Sequence, residues 1–383
     1  MNSTRRGSSQ HDWENDVIHP LAGKQGPARI LGALVVATLV WDPVLAQTGA
    51  TDSPTTQRDP IHLRIVGGLG GVTQYTQHEQ PFWTQVLPAR TAGRVTADIV
   101  PFDQAGLRGQ EVLRLMRAGI VPFGTIVLGT NSSSEPEFGA VDLAGLSPDI
   151  KAVSRVVNAF RPHLQRALRD RYDVELLAVY VYPAQMLFCK QPLTGLKNLA
   201  GRRIRTAQPS VSDFVKALGA TPVRIPFADI NANMRSGNVD CAITGSMSGN
   251  AIGLQALTTH IYSMPLSWGL SVFGANTAAW QALPADVRTL LRAELSQMEA
   301  TIWADAERDT LEGVKCDIGS PECVNGKKGT MIEVKPTVAD DQLRQHIFTS
   351  EILPMWVKRC GPDCVDVWNQ TLKPVTGIEA VGK

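Results

Sequence analysis

The chain has 383 residues, and its 37 lysine and arginine residues nearly balance its 36 aspartate and glutamate residues, giving a formal net charge of +1. This balance gives no reason to expect nucleic acid or an anionic membrane surface as a partner. The apolar fraction of 43% is enough for a packed core, and the length favours two domains.

The N-terminus has the pattern of a targeting segment. Residues 30–41 are twelve apolar or small residues, too few for a membrane span, which needs about 20. The small-residue sequence VLA follows at 44–46, so residues 1–46 are predicted to be a secretory signal peptide. The arginine pair at positions 5 and 6 leaves a twin-arginine signal as an alternative. Polar residues 47–60 are predicted to form a disordered leader.

Strands and helices are predicted to alternate along the rest of the chain. The predicted strands lie at residues 62–66, 95–101, 120–128, 174–181, 185–189, 261–264 and 270–275. The predicted helices lie at residues 73–92, 111–118, 149–171 and 284–311. This alternation is typical of mostly parallel α/β sheets.

A glycine-rich loop at residues 67–71 joins the first strand to the first helix. Backbone N–H groups at the positive end of a helix can contact an anion or another ligand, and a tight turn is the alternative interpretation. Gln74 and Tyr75 stand at the helix start and are predicted ligand contacts. Candidates that follow the second and third strands are Phe102, Asp103, Gln104, Thr130 and Asn131.

The stretch from residue 201 to residue 243 carries the clearest functional signal. It is predicted to form strand, helix, strand, helix and strand, with Arg205 at the end of the first strand. Small ligands bind at strand ends in open α/β sheets. The planar, permanently charged guanidinium group of an arginine fits a carboxylate through two hydrogen bonds.

The same stretch resembles the core of the solute-binding proteins of tripartite ATP-independent periplasmic (TRAP) transporters. Those proteins carry an L-x-G-x-x-I/V-R strand, a helix ending in L-G-A-x-P, and a later run from a phenylalanine through G-x-x-D. The matching residues here are Leu199, Gly201, Ile204, Arg205, Leu218, Gly219, Ala220, Pro222, Phe227, Gly237 and Asp240. Weaker similarity extends from about His62 to about Arg292.

The resemblance implies an α/β fold of two lobes that close on a ligand like a clamshell. Strands crossing near Ala184 and Trp268 would form the hinge, and the long helix at 284–311 would run across both lobes. The predicted boundaries are 61–183 with 269–300 for lobe I, and 184–268 with 301–383 for lobe II, whose C-terminal extension contains cysteines.

The resemblance also implies where a ligand would bind. In that family an arginine at the position of Arg205 binds the ligand carboxylate, and many members have a contact near Gln185, whose amide can donate and accept hydrogen bonds. An asparagine commonly stands where this chain has Thr244, and Ser246 follows it. Trp268 is predicted either to form a wall of the ligand site or to pack in the hinge.

Six cysteines fit an oxidising compartment. The four late ones are expected to form two disulfides, for which the local pairs 316–323 and 360–364 are the simplest choice. Pairing between the two segments and zinc binding are the alternatives. Cys189 and Cys241 are predicted to pair, with two buried free thiols as the alternative.

No catalytic motif assembles, because the sequence lacks G-x-S-x-G, H-E-x-x-H and C-x-x-C. The chain is predicted to be a periplasmic solute-binding protein, not an enzyme, that needs no cofactor or metal. It would capture a small organic carboxylate, with a monocarboxylate favoured by the single evident arginine, and by resemblance deliver it to the permease subunits of a TRAP transporter. We expect a monomer. The alternatives are an ABC-type or receptor-linked binding protein and a secreted hydrolase.

Overall fold

The strands of this protein separate into two sheets, which form two lobes. The computed structural model describes residues 59–382, so the predicted signal peptide and nearly all of the predicted leader lie outside the described residues. Within the described part of the chain, no helix is long and apolar enough to cross a membrane.

The strands are β1 (Ile61–Gly67), β2 (Val95–Pro101), β3 (Phe123–Val127), β4 (Val174–Val181), β5 (Gln185–Cys189), β6 (Arg203–Thr206), β7 (Thr221–Arg224), β8 (Cys241–Gly245), β9 (His260–Ser267), β10 (Leu270–Asn276) and β11 (Ile332–Val334). Sheet A has the order β2-β1-β3-β10-β4, and sheet B has the order β11-β9-β5-β8-β6-β7. In sheet A, β1 runs parallel to β2 and β3, whereas β10 runs antiparallel to β3 and β4. In sheet B, β6 runs parallel to β7 and β8, so these strands end on the same edge.

The helices are α1 (Leu87–Arg90), α2 (Gly109–Arg117), α3 (Leu128–Asn131), α4 (Ile150–Tyr172), α5 (Pro209–Ala217), α6 (Ile230–Arg235), α7 (Ser246–Ala251), α8 (Thr277–Ala282), α9 (Ala285–Asp317), α10 (Val338–Ile347), α11 (Leu353–Cys360), α12 (Pro362–Thr371) and α13 (Lys373–Thr376). Shorter or wider helical turns lie at Gln74–Glu79, Phe82–Val86, Pro136–Asp142, Leu196–Leu199, Phe227–Asp229, Leu254–Ala256 and Phe348–Ile352.

Helix α9 is the long element that joins the lobes. Its first half buries Leu291, Leu295, Met298 and Ile302, whose spacing places them on one face of a helix, in the core beside sheet A. Its second half packs against α7, beside sheet B. The predicted α/β fold of two lobes with a helix spanning both is therefore confirmed.

The chain passes between the lobes at two neighbouring places. Tyr182 N–H donates to the carbonyl of Gly269 at 3.0 Å, and Gln185 pairs with Ser267 where β5 meets β9. Between these points the chain leaves sheet A after β4, and it returns to sheet A through β10. The two crossings thus lie side by side, as a hinge requires.

Two predicted elements differ from the structure. The helix predicted at 73–92 is divided into the turns Gln74–Glu79 and Phe82–Val86 and the short α1. The strand predicted at 120–128 is limited to β3, because Gly119 has a left-handed backbone with φ of 73° and the chain coils into α3 from Leu128.

All six cysteines form disulfides, in the pairs Cys189–Cys241, Cys316–Cys323 and Cys360–Cys364. These are the favoured pairings, and they leave no thiolate among the described residues for the zinc alternative. Cys189 and Cys241 lie directly opposite each other on β5 and β8.

The C-terminal region after α9 contacts both sides of the molecule. Arg359 donates to Asp213 of α5 at 2.5 Å, beside sheet B. Trp356 Nε1 donates to the carbonyl of Pro136 at 2.7 Å, and Arg344 donates to the carbonyl of Gly145, both in the segment that follows α3. This region therefore packs across the molecule as well as against sheet B.

Candidate ligand-binding site

A cavity of about 640 Å³ lies between the two lobes, lined by strand ends and loops from both sheets. The sheet A side contributes the loop after β2 and the start of α3. The sheet B side contributes the ends of β6, β7 and β8 and the start of α5. The lining residues are Leu69, Phe102, Asp103, Gly106, Leu107, Arg108, Gly109, Gln110, Val127, Gly129, Thr130, Tyr182, Gln185, Arg205, Ala207, Gln208, Val211, Arg224, Ile225, Pro226, Phe227, Ala228, Asp229, Ile243, Thr244, Ser248, Ser267 and Gly269.

Arg205 lines this cavity from β6 and is only 3% exposed. Its Nε donates to the carbonyl of Ile225 at 2.9 Å, and one terminal nitrogen donates to the carbonyl of Ile243 at 2.7 Å. Among the described residues, no carboxylate pairs with it. Burial lowers the pKa of Arg205 to about 10, so the guanidinium group stays charged at neutral pH. The cavity therefore contains a fixed positive charge that forms no ion pair with a described residue, although Asp103 and Asp229 also line the cavity.

The local sequence explains why this arginine is held still. Strand β6 lies between β7 and β8, with Arg205 opposite Val223 on one side and Ala242 on the other. Of the two carbonyls that accept from Arg205, that of Ile243 lies on β8 and that of Ile225 directly after the end of β7. A side chain fixed in this way loses little conformational entropy when it binds an anion.

Gln185 and Thr244 also line the cavity. Gln185 Nε2 donates to the carbonyls of Pro183 and Trp268, both at 3.2 Å, which leaves its Oε1 as a free acceptor in the described protein. Thr244 is 2% exposed, and its hydroxyl group has no hydrogen-bond partner among the described residues. The structure thus brings Arg205, Gln185 and Thr244 together at one cavity.

The other five predicted contacts lie outside the lining. Ser246 Oγ donates to the carbonyl of Thr310, and Trp268 Nε1 donates to the carbonyl of Ser147. The remaining three are directed at their own lobe: Gln74 Nε2 donates to Glu79 at 3.3 Å, Tyr75 OH to the carbonyl of Ile99 at 3.3 Å, and Asn131 Nδ2 to the carbonyl of Val127 at 2.9 Å. Their roles as ligand contacts remain predictions.

Several lining residues had no place in the sequence prediction, and Arg224 is the main one. It ends β7, one strand away from Arg205, and donates to Ser133 Oγ at 2.8 Å across the cleft. The signal that could have found it is its position, since β6 and β7 are parallel and their carboxyl ends share an edge.

The cavity wall is largely apolar. Phe102 and Leu107 come from the sheet A side, and Val211, Ile225 and Phe227 come from the sheet B side. Apolar walls with a few placed polar groups are typical of small-molecule sites. A ligand that fits here would have a carbon body as well as a charged group.

Asp142 is a buried carboxyl group that connects residues beside the cavity through hydrogen bonds. Its carboxylate accepts from the N–H groups of Trp268 and Gly269 at 2.7 and 2.9 Å and from Gln208 Nε2 at 3.3 Å. Burial raises the pKa of Asp142 to about 6 despite these hydrogen bonds. Since Gln208 lines the cavity from the start of α5, Asp142 links the hinge to the ligand-facing edge of lobe II.

A second buried carboxyl group supports the glycine-rich loop. Glu79 accepts from Gly68 N–H at 2.6 Å, Thr125 Oγ1 at 2.9 Å and Gln74 Nε2 at 3.3 Å. Complete burial raises the pKa of Glu79 to about 7. The N–H of Gly68 is therefore directed into lobe I, which favours the tight-turn interpretation for that group. Across residues 59–382, no cluster of three or more histidine, cysteine, aspartate or glutamate side chains is arranged to hold a metal ion.

Comparison with protein families shows which family this chain belongs to. The model for "Bacterial extracellular solute-binding protein, family 7" matches residues 73–317, more than half of the chain. The chain belongs to this family. The resemblance to TRAP solute-binding proteins is thereby confirmed, and Arg205 and Thr244 both fall within the matched residues.

Curated relatives of this family 7 protein are distant. The ectoine-binding periplasmic protein TeaA of Halomonas elongata is 21% identical over 205 residues, which cover 51% of this chain and 59% of that protein. The outer membrane transporter protein TsaT of Comamonas testosteroni is 24% identical over 210 residues, which cover 52% of this chain and 60% of that protein. The match therefore spans about three fifths of these relatives' length.

Solved structures agree on the fold. A Bordetella pertussis extracytoplasmic solute receptor that binds pyroglutamic acid has a TM-score of 0.70 at 21% identity, covering 81% of this chain and 99% of that one. A TRAP solute-binding protein from Desulfovibrio salexigens with bound orotic acid has a TM-score of 0.72 at 14% identity, covering 82% and 98%. One from Rhodoferax ferrireducens with bound malonate has a TM-score of 0.71 at 18% identity, covering 81% and 97%.

Proposed function

We propose that this family 7 protein is a periplasmic receptor that captures a small organic carboxylate and delivers it to the membrane subunits of a TRAP-type secondary transporter. No bond is made or broken in this role. The ligand closes the lobes, and the closed form is presented to the permease. The protein acts as a monomer and requires no cofactor.

The observation that carries this proposal is the unpaired charge of Arg205. A guanidinium group that is 3% exposed, fixed by two carbonyls and facing a cavity is unfavourable without an anion. A carboxylate satisfies it through two parallel hydrogen bonds in a site with a lower dielectric constant than water. Pyroglutamate, orotate and malonate in the related structures are all carboxylates, which supports the same ligand class here.

The test is to measure binding of a library of organic acids to the mature protein by thermal shift and then by calorimetry. Ligand that binds only the folded state at a hundredfold excess over Kd stabilises it by about 2.7 kcal/mol. We expect a carboxylate to raise Tm. Replacing Arg205 by alanine should weaken binding of that carboxylate by roughly 2–5 kcal/mol, which is about thirtyfold or more.

Arg203→Ala is the matched control. Arg203 lies on the same strand but is exposed and paired with Asp240 at 2.8 Å, so its loss should leave affinity unchanged. Arg205→Lys keeps the positive charge, and it is the variant to measure if the Arg205→Ala protein does not fold. Wild-type affinity in a folded Arg205→Ala protein, or stabilisation by sugars or amines alone, would contradict the proposed function.

A further inference from the structure

Three serine and threonine hydroxyl groups line the cavity without any hydrogen-bond partner among residues 59–382. They belong to Thr244, Ser248 and Ser267, which are 2%, 6% and 4% exposed. Other buried hydroxyl groups nearby do have partners: Ser246 donates to α9, and Thr206 bonds with Ser212 at 2.8 Å. We call Thr244, Ser248 and Ser267 the hydroxyl pole.

The hydroxyl pole is gathered by the ends of adjacent elements of sheet B. Thr244 lies on β8, Ser248 in the first turn of α7, and Ser267 at the end of β9. Gln185, which also lines the cavity, is paired with Gly245 of β8 and with Ser267 of β9.

Two glycines keep the space beside the pole open. A Cβ atom at Gly245 would lie 2.9 Å from Ser248 Oγ and 3.3 Å from Gln185 Nε2. A Cβ atom at Gly269, whose φ of 76° already favours glycine, would lie 3.3 Å from the same Nε2. A larger residue at position 245 would fill the space between Ser248 and the Gln185 amide, and one at position 269 would fill the space beside that amide.

The three hydroxyl groups of the pole are uncharged and can only form hydrogen bonds. A buried polar group that lacks a partner is unfavourable, so these hydroxyl groups need one from outside the chain. Each can donate one bond and accept two, and Gln185 Oε1 can only accept. A ligand hydroxyl group both donates and accepts, so it is complementary to this set.

We propose that the ligand is a hydroxy acid whose carboxylate binds Arg205 and whose hydroxyl group binds the hydroxyl pole. This inference rests on the proposed function, and it narrows the ligand class. Alkyl and aryl acids without such a group would leave the pole unsatisfied. Sites built to bond a substrate hydroxyl group discriminate strongly against analogues that lack it.

The first experiment compares acids that differ only by hydroxyl groups. Calorimetry with the mature protein would measure lactate against propanoate, malate against succinate, and gluconate against hexanoate. We expect the pair that fits the cavity to show at least tenfold tighter binding of the hydroxylated member. Equal affinity within every pair that binds would overturn the inference and leave the proposed carboxylate function intact. Absence of binding by all carboxylates would overturn both.

The second experiment removes two of the three hydroxyl groups of the pole. In a Ser248→Ala, Ser267→Ala protein, the hydroxylated acid should lose most of its advantage over its partner, while the unsubstituted acid keeps its affinity. Ser263→Ala is the matched control, because Ser263 lies on β9 but donates to Val334 at 3.4 Å and does not line the cavity. An advantage that survives the double substitution would contradict the assignment.

The stability of the ligand-free variants separates binding from structure. Since Ser248 and Ser267 have no partner in the described chain, their alanine variants should unfold at the wild-type temperature or above it. A clear fall in Tm of the ligand-free protein would indicate a structural role for these hydroxyl groups and would overturn the assignment.

Discussion

Glu79 lies beneath the glycine-rich loop and is completely buried, with hydrogen bonds from Gly68, Thr125 and Gln74. Its pKa rises from an ordinary value of 4.5 to about 7 because burial disfavours the charged form. The folded state therefore holds this proton more tightly than the unfolded state. The associated stability is fully present below pH 4.5 and is lost as pH rises to about 7.

Glu79→Gln should remove this dependence. We expect the variant to gain roughly 3 kcal/mol over the wild type between pH 4.5 and pH 8, since one pKa unit is worth about 1.4 kcal/mol. The amide can still accept from Gly68, and Gln74, whose Oε1 has no partner, can turn to accept from it. Urea unfolding at several pH values measures the effect. Asp142 contributes in the same direction, but it is present in both proteins and cancels in the difference.

Glu307→Gln is the control for the loss of one carboxylate, because Glu307 is exposed on α9. A Glu79→Gln protein whose stability follows the wild-type slope between pH 4.5 and pH 7 would show that the folded state does not retain this proton.

At single positions, the sequence predicted cavity residues that stand at strand ends. It did not predict which residues of an extended segment face the cavity. Arg205 was predicted from its place at a strand end and Thr244 from the family resemblance, and both line the cavity. Trp268 was predicted as a wall of the ligand site or a hinge residue, yet its neighbour Ser267 lines the cavity while the indole nitrogen bonds to Ser147. Successive residues of an extended chain point to opposite sides, and the sequence does not say which side is the cavity.

At the scale of elements, α9 packs closely against α7 because residue 313 is a glycine. A Cβ atom at Gly313 would lie 2.3 Å from Met247 N and 2.6 Å from the carbonyl carbon of Ser246. These are backbone atoms that cannot rotate away. The distance between the two helices is therefore set by the absence of a side chain at this position.

Gly313→Ala should destabilise the protein although alanine favours helix. The gain in helix propensity is at most about 1 kcal/mol, whereas overpacking costs typically 1–3 kcal/mol and here meets rigid backbone. We expect a net loss of roughly 1–2 kcal/mol in chemical denaturation. Thr301→Ala, at an exposed position of the same helix, should change stability by less than about 0.5 kcal/mol. A Gly313→Ala protein as stable as the wild type would mean that α7 can move away.

The elements themselves were largely predictable, because apolar periodicity decides most of them. Strands β2, β4 and β5 have the predicted bounds, and the stretch from 201 to 243 has the predicted order. The extension of α9 beyond Leu311 was not predicted, since its last turns bury Glu312 and Asp317 along with Gly313. Burial of such residues depends on α7 and the C-terminal region, which are contacts that periodicity does not contain.

For the molecule as a whole, the three disulfides constrain the unfolded chain to different degrees. Cys189–Cys241 closes a sequence separation of 52 residues, whereas Cys316–Cys323 and Cys360–Cys364 close separations of 7 and 4. Loop entropy predicts that the longest loop contributes most.

Replacing both cysteines of the first pair by alanine should cost about 4 kcal/mol of unfolding free energy, against about 2 kcal/mol for either local pair. Denaturant unfolding of the three double-alanine variants gives the comparison, with each local pair serving as the control for the long one. Equal losses in all three would show that strain or residual structure, rather than loop length, determines the effect.

The position of β10 in sheet A also bears on how the protein is made. This strand fills the place between β3 and β4, and β4 has no other neighbour in the sheet. During synthesis, sheet A cannot be completed until residue 276 has left the ribosome, by which time the whole of sheet B except β11 has been translated. Strand β4, which ends at Val181, therefore remains without a partner strand until β10 begins at Leu270. Sheet A therefore reaches its final form only late in synthesis, after most of sheet B is available to fold.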